Sequence, residues 1–160
     1  MFSVVLGNLF ASRGKKMTPD EKRHFFVGYA MRFLGTWYSW GGNDPMAGFD
    51  CSGFVIECLQ AVGKFPRGDD TTADGLMRKY DAVGCKVSEP DVGVILFYLD
   101  SLGRAYHVEI CLNDELSIGA KNGGSRCITK ADAISMDAFI KVRPIKGDRL
   151  VYMDVFNGSS

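Results

Sequence analysis

The chain has no surplus of either charge. Nineteen lysines and arginines stand against nineteen aspartates and glutamates, so no global field favours nucleic acid, acidic polymers or an anionic membrane, and any charged partner has to be recognised locally. There is no C-x-x-C pair among the five cysteines, Cys51, Cys58, Cys85, Cys111 and Cys127; that spacing argues against a structural zinc site, and the odd count argues against a disulfide framework. No repeat, low-complexity tract or interdomain linker is present, and no apolar run is long enough to span a bilayer. The apolar opening, Met1 to Phe10, lacks a basic region and a small-residue cleavage site, which predicts a protein made in the cytoplasm without a secretion signal and not inserted in a membrane. The basic residues Arg13, Lys15 and Lys16 read as a solvated segment.

What is there is ordinary for a soluble domain. Its 160 residues are 46% apolar and 24% charged, enough to bury one core without disulfide or metal staples. A single domain is expected over residues 1–156, followed by a frayed tail at 157–160.

Helix signals come first along the chain. Thr18-Pro19-Asp20-Glu21 is a capping box with proline at the first helical position, and Phe26, Tyr29, Ala30 and Phe33 follow at helical spacing, predicting a helix over 18–34. A Gly-rich loop from Gly41 to Gly48 leads to Asp50, a good N-cap, and Phe54, Val55, Cys58, Leu59 and Val62 predict an apolar helix that ends at Gly63. Residues 64–70 read as loop, and Thr72 opens a short helix with Ala73, Leu76, Met77 and Tyr80 on one face. Strand signals follow at 92–99, 105–112, 116–120 and 139–142, divided by Gly, Asn and Asp. Helices followed by antiparallel strands predict an α+β fold, with N-terminal helices packed on the sheet.

Cys51 falls in the first turn of the second helix. Unpaired backbone N–H groups and the positive end of the helix dipole favour thiolate there, whereas Cys58 reads as a core residue. His107 heads the strand Tyr106-His107-Val108-Glu109-Ile110, from which it can face a helix N-terminus and serve as base. His24, among the charges of the first helix, reads as surface. Asp50 and Ser52, which flank Cys51, and Trp40, in the loop before it, are the candidate substrate-binding residues.

Three segments resemble the NlpC/P60 cysteine peptidase superfamily: Tyr38-Ser39-Trp40-Gly41-Gly42, then Gly48-Phe49-Asp50-Cys51-Ser52-Gly53-Phe54, then His107-Val108-x-Ile110. The resemblance implies a papain-like fold, Cys51 as nucleophile, His107 as its partner and a substrate in the peptide part of bacterial peptidoglycan, cut most often after its D-glutamyl residue. It also implies that Tyr38 lends its hydroxyl beside the nucleophile, although Tyr38 fits equally as a core aromatic and Trp40 reads more readily as one. The Cys51 backbone N–H can help hold the oxyanion. No metal and no organic cofactor is expected.

The chain departs from that pattern at one place. The family carries a third polar residue about twelve positions after the histidine, where it orients the imidazole; here that position is Gly119. If Asn113-Asp114-Glu115 is a three-residue hairpin loop pairing Leu112 with Leu116, the register sets Glu109 opposite Gly119. Glu109 shares a face with His107, so it is the candidate orienting group, through Nδ1; a solvent-facing glutamate and Asn122 as the third residue are the competing readings.

The function expected is therefore hydrolysis of an amide through a Cys51 thioester. Delivery to the wall by a phage, or by a machine that injects an antibacterial effector, follows from the missing signal. A papain-like acyltransferase or deamidase, and a non-catalytic structural domain, are the alternatives.

Overall fold

The computed structural model describes residues 16–157. The apolar opening, the basic residues Arg13 and Lys15, and the last three positions of the expected tail lie outside the described residues. Within them, no helix is long and apolar enough to cross a membrane.

Thr18 caps the first helix, α1 (Pro19–Met31), by the predicted reciprocal pair: its hydroxyl accepts from the Glu21 N–H at 3.1 Å, and the Glu21 carboxylate accepts from the Thr18 N–H at 2.8 Å. Two short strands, β1 (Asn43–Asp44) and β2 (Gly48–Phe49), pair antiparallel inside the expected Gly-rich loop. The second helix, α2 (Cys51–Ala61), buries Phe54, Val55, Ile56, Cys58 and Leu59. Apolar side chains on nearly every side of its middle turns make it a helix that packs on more than one neighbour. Thr72 caps α3 (Ala73–Asp81) through the Gly75 N–H.

Among the described residues the sheet has six antiparallel strands in the order β3 (Lys86–Val87), β8 (Leu150–Met153), β4 (Ile95–Leu99), β5 (Ala105–Cys111), β6 (Leu116–Ala120), β7 (Ile140–Pro144). Strand alternation divides its residues between two faces. Ile95 and Phe97 of β4, Val108 and Ile110 of β5, and Ile118 and Ala120 of β6 join the α2 side chains in the main core. Residues of the other parity, Leu96 and Cys111 with Tyr98 and Tyr152, form a smaller second cluster. Arg23 ties α1 to the far end of the chain: it is buried, bonds Asp154 at 2.9 Å and donates to the Val92 carbonyl at 3.1 Å. The Asn157 side chain joins the same cluster, donating to Asp154 at 2.8 Å.

Two elements position the site. The β5–β6 hairpin pairs Ile110 with Ile118 and Cys111 with Ser117, and the Leu112 N–H bonds the Leu116 carbonyl at 2.8 Å, which is the predicted register. On the other side of β5, Tyr98 pairs with His107 and Leu99 with Ala105, so the strand bulges at Tyr106. The bulge leaves Tyr106 exposed, and His107, the next residue, lines the cleft described below.

A short helix α4 (Lys130–Met136) and the strands β3 and β8 are absent from the sequence expectation. α4 has its own capping box, with Thr129 and Asp132 bonding reciprocally. It ends at Asp137 in the left-handed conformation, without the glycine that ordinarily marks such an end.

Candidate active site

Asp50 fixes the start of α2. One carboxylate oxygen accepts from the Gly53 N–H at 2.7 Å and from the Ser52 hydroxyl at 3.2 Å, and the other accepts from the Gly41 N–H at 3.1 Å. Burial holds this carboxyl above its ordinary value, against those three bonds, which lower it. Gly53 is required by a close approach: a Cβ there would lie 2.1 Å from the Gly42 carbonyl oxygen. Asp50 and Gly53 thus lock the loop onto the helix and leave Cys51 half-buried at its first position. The Cys51 and Ser52 N–H groups open the helix, where no intrahelical acceptor exists.

Cys51 and His107 line one cleft of about 950 Å³ together with Tyr38, Trp40, Asp50, Ser52, Glu109 and Asn122. Burial opposes charge on His107, but hydrogen bonds to the Cys51 and Glu109 side chains and the negative charge of both outweigh it, and the imidazole is raised to about 9. Its Nε2 meets Glu109 Oε1 at 2.7 Å. This corrects the nitrogen expected from sequence: Glu109 takes Nε2, so Nδ1 is the nitrogen left for the sulfur, and the tautomer a Cys51–His107 pair needs is held from behind.

Glu109 is fully buried, which removes the reading as a solvent-facing glutamate. Its Oε1 also receives the Lys121 ammonium at 2.7 Å. The Ser117 hydroxyl donates to Oε2 in a short hydrogen bond, and the Tyr98 hydroxyl approaches the same oxygen at 3.5 Å. Burial pushes the carboxyl up, but His107 and Lys121 bring it down to about 2. Gly119 supplies the space: a Cβ there would lie 2.7 Å from Glu109 Cγ. The carboxylate therefore occupies the volume that a side chain at position 119 would need.

Tyr38 is buried, and its ring packs on Gly123, where a Cβ would fall 2.1 Å from the ring. Burial first, then the charges of Cys51 and Asp50, raise its phenol out of the usual range, so it stays a neutral O–H donor in the cleft. Trp40 is 56% exposed on the cleft rim and is not a core residue. Asn122 lines the cleft but gives its side-chain N–H to the Asp137 carbonyl at 3.1 Å rather than to His107. His24 lies on the surface, bonding the Asp20 carbonyl, and Cys58 is buried in the core. Among the described residues, no group of three His, Cys, Asp or Glu side chains could hold a metal ion.

Lys121, Ser117 and Tyr98 were not singled out by sequence. A signal for the first two existed: the hairpin register that sets Glu109 against Gly119 also sends Ser117 and Lys121 to the same face by alternation.

The sequence model of the NlpC/P60 family matches residues 35–143. The chain is 38% identical over 101 residues to Protein P54 of Enterococcus faecium, an alignment covering 61% of this chain and 18% of that protein. It is 35% identical over 83 residues to murein DD-endopeptidase MepH of Escherichia coli, covering 50% of this chain and 29% of that protein. The chain thus spans less than a third of the length of either curated relative. The crystal structure of the NlpC/p60 domain of peptidoglycan hydrolase SagA superposes with a TM-score of 0.56 at 28% identity, covering 82% of this chain and 97% of that one. Peptidoglycan hydrolase RipB of Mycobacterium tuberculosis shares the fold at a TM-score of 0.62 and 22% identity, covering 90% of this chain and 69% of that one.

Proposed function

Because this chain belongs to the NlpC/P60 family, we propose that it is a thiol-dependent hydrolase of amide bonds in the peptide part of bacterial peptidoglycan. The observation that carries this reading is the meeting of Cys51, at the first position of a capped helix, with His107 and its buried carboxylate partner in one cleft. The names of the relatives MepH and SagA, a murein endopeptidase and a peptidoglycan hydrolase, support the choice of substrate.

The chemistry follows from the geometry. The Cys51 thiolate attacks the amide carbonyl, a C–S bond forms, and the carbonyl electron pair moves onto oxygen, where the Cys51 N–H at the helix start can receive it. Tyr38, a neutral donor in the same cleft, is a second candidate for that oxygen. When the tetrahedral intermediate collapses, the C–N bond breaks and His107 gives its proton to the leaving amine. Water then loses a proton to His107 and attacks the thioester, which releases the acid and restores the thiolate. Glu109 keeps the imidazole oriented and stabilises its charged form, so it is a positioning residue. Asp50 and Ser52 serve the site chiefly by building it, since their side chains bond one another and Asp50 ties the loop at Gly41 to the helix at Gly53; Trp40 offers an exposed ring at the rim for the substrate.

The test is a digest of purified peptidoglycan by the protein and by its Cys51→Ala variant, with fragments identified by mass spectrometry. New peptide termini are expected only with unmodified Cys51. Fragments that carry transferred amines, or deamidated side chains without chain cleavage, would replace hydrolysis of the wall peptide by acyl transfer or deamidation. Absence of any product from walls of several chemistries would overturn the reading.

A further inference from the structure

The carboxylate behind His107 is shared. Glu109 Oε1 receives two cations, His107 Nε2 and Lys121 Nζ, each at 2.7 Å, while Oε2 takes the Ser117 and Tyr98 hydroxyls. Glu109 has no exposed surface, and the Lys121 side chain is only 15% exposed, so water does little to weaken either pair. We propose that Lys121 is a positioning residue that sets the acidity of His107 by dividing the charge of Glu109 between two cations. The inference rests on the reading of Cys51 and His107 as the reacting pair.

The reaction asks two opposed things of His107. It must hold a proton beside the thiolate, and then give that proton to a leaving amine. A buried carboxylate bonded to the imidazole alone would hold the imidazolium too firmly for the second task. Lys121 binds the same oxygen, draws part of its charge, and repels the imidazolium from close by. With His107, whose contribution is the larger, it also offsets the burial that raises the Glu109 carboxyl. The remaining groups facing the carboxylate do not duplicate this. Tyr98 of β4 and Ser117 of β6 are neutral donors, and Cys111, whose thiol burial pushes up to about 12, is uncharged. From β7, Lys141 pairs across from Gly119 but sends its ammonium to Asp137. Arg143 of β7 lines the cleft, and its charge acts on Asp137. Cys51 acts on the opposite nitrogen of the ring.

The chain has only two histidines, so the ring protons of His107 can be titrated by NMR with exposed His24 as an internal reference. A Cys51→Ala background makes that titration independent of turnover and free of the thiol. Lys121→Met and Lys121→Gln remove the charge, the second keeping a donor to the carboxylate, and Lys121→Arg retains both. The expected result is a His107 pKa raised by about one pH unit in the Met and Gln variants, with His24 unmoved and the Arg variant near the parent. With Cys51 restored, the alkaline limb of kcat/KM should move up by the same amount, and kcat should fall about tenfold as proton release slows. A His107 that titrates identically in the Lys121→Gln variant and its parent overturns the proposal, even if Lys121→Met fails to fold. A wall digest that yields nothing, with the NMR shift present, overturns the assigned reaction and leaves the Lys121 effect on His107 standing.

Discussion

Replacing Glu109 with glutamine tests the site at its most buried point. Glutamine keeps the shape but not the charge, so the bond at 2.7 Å from His107 Nε2 loses its ionic character. A hydrogen bond to a charged group contributes about 1.5–3 kcal/mol, so kcat/KM should drop roughly 10- to 150-fold. The Lys121 ammonium, largely buried, loses its counter-charge in the same substitution, and a stability loss of about 3 kcal/mol follows, at the lower end for a broken buried pair. The pH profile separates the two effects. Glu109 stabilises imidazolium, so without its charge His107 becomes more acidic and the alkaline limb of kcat/KM moves down, opposite to the shift expected from neutralising Lys121. The assay is steady-state hydrolysis of a purified wall peptide over pH 5 to about 10, with thermal melts on the same samples. A folded Glu109→Gln protein with unchanged kcat/KM and an unmoved alkaline limb would remove Glu109 from the mechanism.

Gly119→Ala should damage the same contact from the other side. Its Cβ would stand 2.7 Å from Glu109 Cγ and 3.2 Å from Cδ, forcing the carboxylate off His107, with an overpacking cost of about 1–3 kcal/mol and about a tenfold loss of kcat/KM; full activity with an unshifted melt would show that the carboxylate has room to move. Stability should also depend on pH in two windows. Glu109 is depressed from 4.5 to about 2, so its contribution is present above pH 4.5 and lost as pH falls toward 2. His107 is raised from 6.5 to about 9, so its contribution is present below pH 6.5 and lost as pH rises through 9. Cys51→Ala removes the strongest contact that raises His107, and its melting temperature should fall less steeply between pH 6.5 and 9; an identical slope in both proteins would refute the coupling of thiol and imidazole.

Which parts of this arrangement were legible in the sequence depended on whether their signals were local. The caps at Thr18, Asp50 and Thr72 carry their partners within three residues, and all three helices begin where those residues say. The β5–β6 register was legible because a short loop fixes it, and with the register came the meeting of Glu109 and Gly119. By contrast, α4 opens on Thr129 and Asp132, and aspartate in place of the usual glutamate weakens the capping signature. β8 lies between β3 and β4 although it is last in the chain; its pairing is entirely long-range, and nothing within four residues announces it. The nitrogen of His107 that faces Glu109 was misassigned because alternation gives the face of a side chain and not the rotation of its ring.

The exchange at positions 109 and 119 gives His107 a carboxylate partner although a glycine holds the expected third position. On paired strands a group directly opposite can replace one on the neighbouring strand, provided the vacated position is small. That condition is met here, and the neighbouring positions add donors. Gly119 leaves the volume that the Glu109 side chain fills, and the two neighbours of the same parity, Ser117 and Lys121, turn a hydroxyl and an ammonium onto the displaced carboxylate. A carboxylate moved without those two donors would be buried with His107 alone, and the cost of burying its charge would fall on the imidazole's proton. Glu109, Gly119, Ser117 and Lys121 therefore form one interdependent set. Single substitutions within it should be non-additive: Gly119→Ala in a Glu109→Gln background should cost clearly less activity than in the parent, because the contact it disrupts is already neutral. Full additivity in that double-mutant cycle would mean that Gly119 matters to the strand and not to the carboxylate.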